Sequence, residues 1–314
     1  MALGVTGVDG NGRVTPKGTN VVIPPENAGV GDLIYKSGGT VKVIGRGTAS
    51  GASISIGGTT YTLYGAIFGF INGEAMIVAP NGAEVANTAW AGGGSAPSWL
   101  TKYYPSGSVL MRNKLNTSYY AQMNTATNAG YITGGGSAPV QLSSAYQATS
   151  LTSSNFDSNA SAEIKRKYKT WNEYIRQTLR VNGAPGTPFG AVFDGCKVHE
   201  YGRYVTNRIG DDSSFPACRH CYNYQGALGT DAKGTWWLPS MFELAELMID
   251  EHLNKVNENS SVLSVSAGLL RWSSVLLSGS DAWSYYLGGM SDYNGLTYSV
   301  SWMVVRPVTL LKLV

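Results

Sequence analysis

Charge is missing where this chain is richest in aromatics: between Arg271 and Arg306 there is no lysine, arginine or glutamate. Cysteine is scarce as well. Three cysteines, an odd and small number, argue against a disulfide framework. No apolar run approaches the length needed to span a bilayer, so no membrane insertion is expected. The first residues, Met1 to Gly7, lack a cationic segment followed by an apolar stretch, so no secretory signal is expected. The net charge is only +3, and the one basic cluster, Lys165, Arg166 and Lys167, fits the wet face of a helix. Nucleic acid is therefore not an expected partner. The glycine-rich stretches lack the Lys-Ser/Thr or strand–Gly-x-Gly–helix context of phosphate loops, which argues against nucleotide binding.

What the uncharged segment does contain is Trp272, Trp283 and Trp302, four tyrosines, two aspartates and many serines. Tyr, Ser, Asn and Gly with a few Trp is the composition of a recognition surface. Tyr and Trp supply rigid contact area at low entropy cost, and Ser and Asn supply adaptable hydrogen bonds. The competing reading is a set of half-buried strands whose aromatics pack in the core. The three tryptophans are expected in the core. Asp281, Tyr285, Tyr286, Asp292, Tyr293, Asn294 and Tyr298 are the candidate ligand-binding residues.

Forty glycines point to many turns. Residues 1–29 hold almost no aromatics and read as an extended arm for particle attachment or subunit contact. Ile54 and Ile56, then Gly57-Gly58, then Tyr61 and Leu63 predict a tight hairpin. Asn72-Gly73 between Ala66–Ile71 and Ala75–Val78 predicts a second, because both turn residues need positive φ. Residues 84–160 read as a loop-rich insertion. Within it Gly92-Gly93-Gly94-Ser95-Ala96-Pro97 recurs as Gly134-Gly135-Gly136-Ser137-Ala138-Pro139, too few copies for a solenoid. Ile164, Tyr168, Trp171, Ile175 and Leu179 predict an amphipathic helix over Ser161–Val181. Ser240 and Glu243 form a capping-box pattern that opens a helix running to about His252–Val256. Residues 301–306 and 308–313 read as strand. Few strands are separated by helices, which favours α+β over doubly wound α/β.

Cys196-Lys197-Val198-His199 and Cys218-Arg219-His220-Cys221 have spacings that suit a Cys₃His zinc site. The competing reading makes Phe215–Tyr222 a short helix with Cys218 and Cys221 on its apolar face as free thiols. The latter is preferred, with no metal and no cofactor. A Cys-His nucleophile has no Gly-rich oxyanion turn beside it, and no His-Asp-Ser ordering stands out.

The stretch Gly234-Thr235-Trp236-Trp237-Leu238-Pro239-Ser240-Met241-Phe242-Glu243-Leu244 resembles the signature Gly-x-Trp-x-Leu-Pro-[Ser/Thr]-x-x-Glu-Leu of FISUMP-like bacterial and phage domains. Trp272-Ser273-Ser274, Ala282-Trp283 and Val305-Arg306-Pro307-Val308 follow in the order that family has, and Gly31–Thr40 is similar to its opening motif. The resemblance implies a C-type lectin-like domain over 30–314, preceded by the arm. It departs from the family in one pairing, because Pro307 stands where the partner of Cys221 would be. The Glu-Pro-Asn and Trp-Asn-Asp motifs of calcium-dependent lectins are also absent. Segment 278–301 is similar to the variable surfaces of phage receptor-binding proteins of the major tropism determinant kind and of retroelement-diversified proteins. The resemblance thus implies a virion fibre or decoration protein, made in a bacterial cytoplasm. It would be a homo-oligomer, trimer favoured, binding a host-surface glycan or protein beside other virion proteins. A purely structural capsid or fibre role is the alternative. A formylglycine-generating type of enzyme is disfavoured because no cysteine follows Cys221, and the chain is expected not to be an enzyme.

Overall fold

The computed structural model describes residues 5–8, 14–16, 20–49, 51–93, 131–134, 137–141, 156–167, 200–266, 268–276, 281–285, 293–297 and 303–313. Helices and antiparallel sheets are both present, so the chain is of mixed α+β class. Its first hairpin, β1 (Val5–Val8) with β2 (Val14–Pro16), forms a small sheet of its own.

The central sheet has the order β14-β8-β7-β4-β5-β3, with β6 beside β7. Its strands are β3 (Val22–Ile23), β4 (Leu33–Ser37), β5 (Thr40–Ile44), β6 (Ser53–Ile56), β7 (Thr59–Ile71), β8 (Glu74–Val78) and β14 (Val308–Leu311). Both expected hairpins form. Ile56 pairs with Thr59 across Gly57-Gly58. Ile71 pairs with Glu74 across Asn72 and Gly73, whose φ values are 51° and 80°, the left-handed geometry a two-residue turn needs. Alternation along the strands fills both faces of the sheet. Leu33, Tyr35, Leu63, Phe68, Met76 and Val78 face the larger core, while Ile34, Val43, Tyr64, Ile67 and Ile77 face a second one.

Helices α1 (Phe156–Asn159), α2 (Ala162–Lys167), α3 (Tyr201–Ile209), α4 (Pro216–Asn223), α5 (Met241–Leu247) and α6 (Asp250–Asn257) follow. The larger core takes in α3, α4, α5 and α6. Strands β9 (Tyr131–Gly134) and β10 (Ser137–Gln141) form a hairpin. A separate three-stranded sheet, β11 (Arg271–Leu276), β12 (Asp281–Tyr285) and β13 (Tyr293–Thr297), completes the described elements.

Three expectations change. Part of the expected arm belongs to the central sheet, because Val22 and Ile23 pair with Ile44 and Val43 and Ile23 is buried. The second glycine-rich hexapeptide is a hairpin rather than open loop, with Gly134 registered on Ser137. The helix over 240–256 is two helices, broken at Met248 and Ile249. Of the helix over 161–181 only the start is described: Ser161 Oγ accepts the Ile164 N–H at 3.2 Å and α2 runs to Lys167. Residues Tyr168–Val181 lie outside the described residues.

Candidate functional site

The candidate surface is the β11–β12–β13 sheet, and its footing is unusually well tied. Trp272 is fully buried, and its indole N–H donates to the Thr88 carbonyl at 2.8 Å. The buried Trp90 indole in turn donates to the Ser273 carbonyl at 2.9 Å. The backbone N–H groups of Trp272 and Ser274 bond to Val304 and Pro239. Four hydrogen bonds therefore fix β11 to three distant parts of the chain.

Pro239 belongs to the Gly234–Leu244 stretch, most of whose residues have a structural task. Gly234 sits at φ 76°, where an added Cβ would lie 2.4 Å from Asn207 Oδ1. Trp236 donates its indole N–H to Asp231 at 2.8 Å. Trp237 donates to Glu243 Oε1 at 2.8 Å, and the Ser240 N–H donates to Glu243 Oε2 at 2.7 Å. Ser240 Oγ in turn accepts the Glu243 N–H at 3.3 Å, closing the capping box at the start of α5. The Leu238 N–H is taken by Thr206 Oγ1 of α3 at 3.0 Å. Burial drives the Glu243 carboxyl up to about 7, against the downward pull of the Ser240 and Trp237 hydrogen bonds.

An ion cluster with both of its arginines buried holds the start of the same strand. Glu84 Oε2 lies 3.3 Å from Arg271 Nη2 at the start of β11 and 3.3 Å from Arg306 Nη1 ahead of β14. Arg306 also donates to the carbonyls of Ala79 and Ser264 and to Asn81 Oδ1. Arg271 donates to Ser266 and Leu269. Burial pulls both guanidiniums below their ordinary range, Arg271 to about 10, and the Glu84 carboxylate opposes that pull.

The candidate ligand residues divide on this frame. Asp281 opens β12, registered with Thr297. Tyr293 and Asn294 open β13, registered with Tyr285 and Ser284. Tyr285 must be moved off the ligand surface: it is completely buried, in a sheet whose β11 and β12 pack against α5. Tyr286, Asp292 and Tyr298 lie outside the described residues, as does Trp302. Trp272 is in the core as expected.

Cys218 and Cys221 sit on the buried side of α4 as free thiols. Burial pushes Cys218 up to about 12, opposed by a hydrogen bond with Thr206, and pushes Cys221 well above the usual range. Cys196 and His199 lie outside the described residues. Among the described residues no group of three His, Cys, Asp or Glu side chains could hold a metal ion, and no helix is long and apolar enough to cross a membrane.

Sequence reasoning missed Glu84, Thr88 and Trp90. All three lie in a stretch that reads as loop, and their partners are far away in the chain, so no local pattern marks them. No protein-family model, curated protein or solved structure matches this chain.

Proposed function

We propose that the chain is a binding protein of C-type lectin-like organisation, a fibre or decoration component of a phage virion. In this reading it holds a host-surface glycan or protein through the Tyr-, Ser- and Asn-rich segment 278–301. The observation that carries it is a pairing of composition with construction. A segment free of Lys, Arg and Glu is mounted on a strand whose indole and backbone hydrogen bonds make it rigid. A rigid footing lowers the entropy lost when a surface engages its ligand. Aromatic anchors within a polar rim then supply most of the binding energy, and several copies on one particle turn weak contacts into avidity.

Changing Tyr286, Tyr293 and Tyr298 together to Ala tests this. Attachment of the purified protein to cells of the bacterium that its particle infects should fall by roughly tenfold or more, with the melting temperature nearly unchanged. Wild-type attachment by the triple variant overturns the reading. Protection of 278–301 from hydroxyl-radical labelling in the intact particle would instead assign the segment to a seam between subunits.

A further inference from the structure

Helix α4 is held by one side and open on the other. Ala217, Cys218 and Cys221 are fully buried, so the opposite side, with the turn before it and Tyr224 after it, faces outward. There Ser213, Pro216, Arg219, His220, Asn223 and Tyr224 line a groove of about 510 Å³.

The polar groups of this groove are set in advance. His220 Nε2 lies 2.7 Å from the Ala83 carbonyl. A carbonyl only accepts, so Nε2 carries the proton, and in the neutral ring Nδ1 is left as an acceptor. Asn223 Nδ2 donates to the Arg219 carbonyl at 3.0 Å, which leaves its Oδ1 as a second acceptor. Arg219 adds a guanidinium with no salt bridge among the described residues. Arg219 acts at a distance on Asp212, whose carboxylate accepts the Ser214 N–H at 2.8 Å. Pro216 and the half-buried ring of Tyr224, packed edge-on against Trp236 at 5.2 Å, supply apolar surface.

We propose that this groove binds a saccharide bearing a carboxylate, of the uronic-acid kind. A sugar ring offers hydroxyl donors and an apolar C–H face together, and the groove has two fixed acceptors beside apolar walls. The carboxylate pairs with Arg219, whose planar fork matches it bidentately. Hydroxyls donate to His220 Nδ1 and Asn223 Oδ1, and the C–H face rests on Pro216 and Tyr224. This site uses neither β12 nor β13 and stands independently of the attachment surface proposed above.

Titration of the full chain with methyl glucuronide and with methyl glucoside, followed by NMR at the His220 ring and the Asn223 side-chain amide, tests it. The glucuronide should shift both signals saturably, with affinity about tenfold above that of the neutral sugar. Arg219→Ala should bring the glucuronide down to the glucoside level, Asn223→Ala should weaken both, and signals elsewhere should stay in place. The proposal is overturned if neither sugar moves these signals, or if both bind equally and Arg219→Ala changes nothing.

Discussion

Glu243 accepts two hydrogen bonds inside the core, and taking it away strands two donors. Glu243→Ala leaves the Trp237 indole and the Ser240 N–H buried without an acceptor, which costs about 3 kcal/mol in chemical denaturation. Its titration also leaves a mark on stability. The native carboxyl sits near 7 against 4.5 for the ordinary group. Below 4.5 both states hold the proton. Between 4.5 and about 7 only the native state does, so this residue's contribution declines as pH rises through that window and is level above it. The decline is on the order of 3 kcal/mol. Unfolding at pH 5 and pH 7.5 should show it in the wild type and not in Glu243→Gln; equal slopes in the two proteins would refute it. Cys218 and Cys221 give a second check at this scale. Iodoacetamide should leave both unmodified in the native protein and alkylate both in guanidinium, as buried thiols of raised pKa require.

Helix α3 docks on the Trp237–Glu243 turn through a residue with no side chain. A Cβ on Gly202 would lie 2.7 Å from the Leu238 carbonyl and 2.9 Å from Glu243 Oε2. Gly202→Ala should therefore force the helix off its seat and lower stability by about 2 kcal/mol; an unchanged unfolding midpoint would contradict that packing. Elements of this kind differ in how far they can be read from residues alone. The Asn72-Gly73 and Gly57-Gly58 hairpins, the Ser240 cap and the cysteine-bearing α4 were legible, since each rests on contacts within a few positions. The β3 pairing was not, because a two-residue strand beside Pro24 has no periodicity to detect. The break at Met248 was hidden as well, since the apolar spacing runs on through it. Burial of Tyr285 in the larger core is a fact of tertiary packing that composition does not carry. For the Glu84–Arg271–Arg306 cluster the charges were visible and their meeting was not.

Across the whole molecule, the central sheet opens at β3. Deleting residues 1–19 should leave the melting temperature in place. Deleting 1–29 removes Ile23 from the second core and the Gly29 N–H that donates to the buried Asp32 at 2.8 Å, and should cost at least about 2 kcal/mol. Equal stability of the two truncations would return the boundary to residue 29. The sheet that β3 joins has a further property. Strands β3 to β8 are contributed by one continuous run of chain, whereas β14 pairs Val308 with Val78 across most of the sequence. The consequence concerns time. Neighbouring strands can find one another early, but β14 can dock only after the long excursion between has been closed, and distant closure slows folding more than it weakens the product. During refolding the exposed flank of β8 therefore waits, open to capture by the same flank of another molecule, until β14 arrives to cover it.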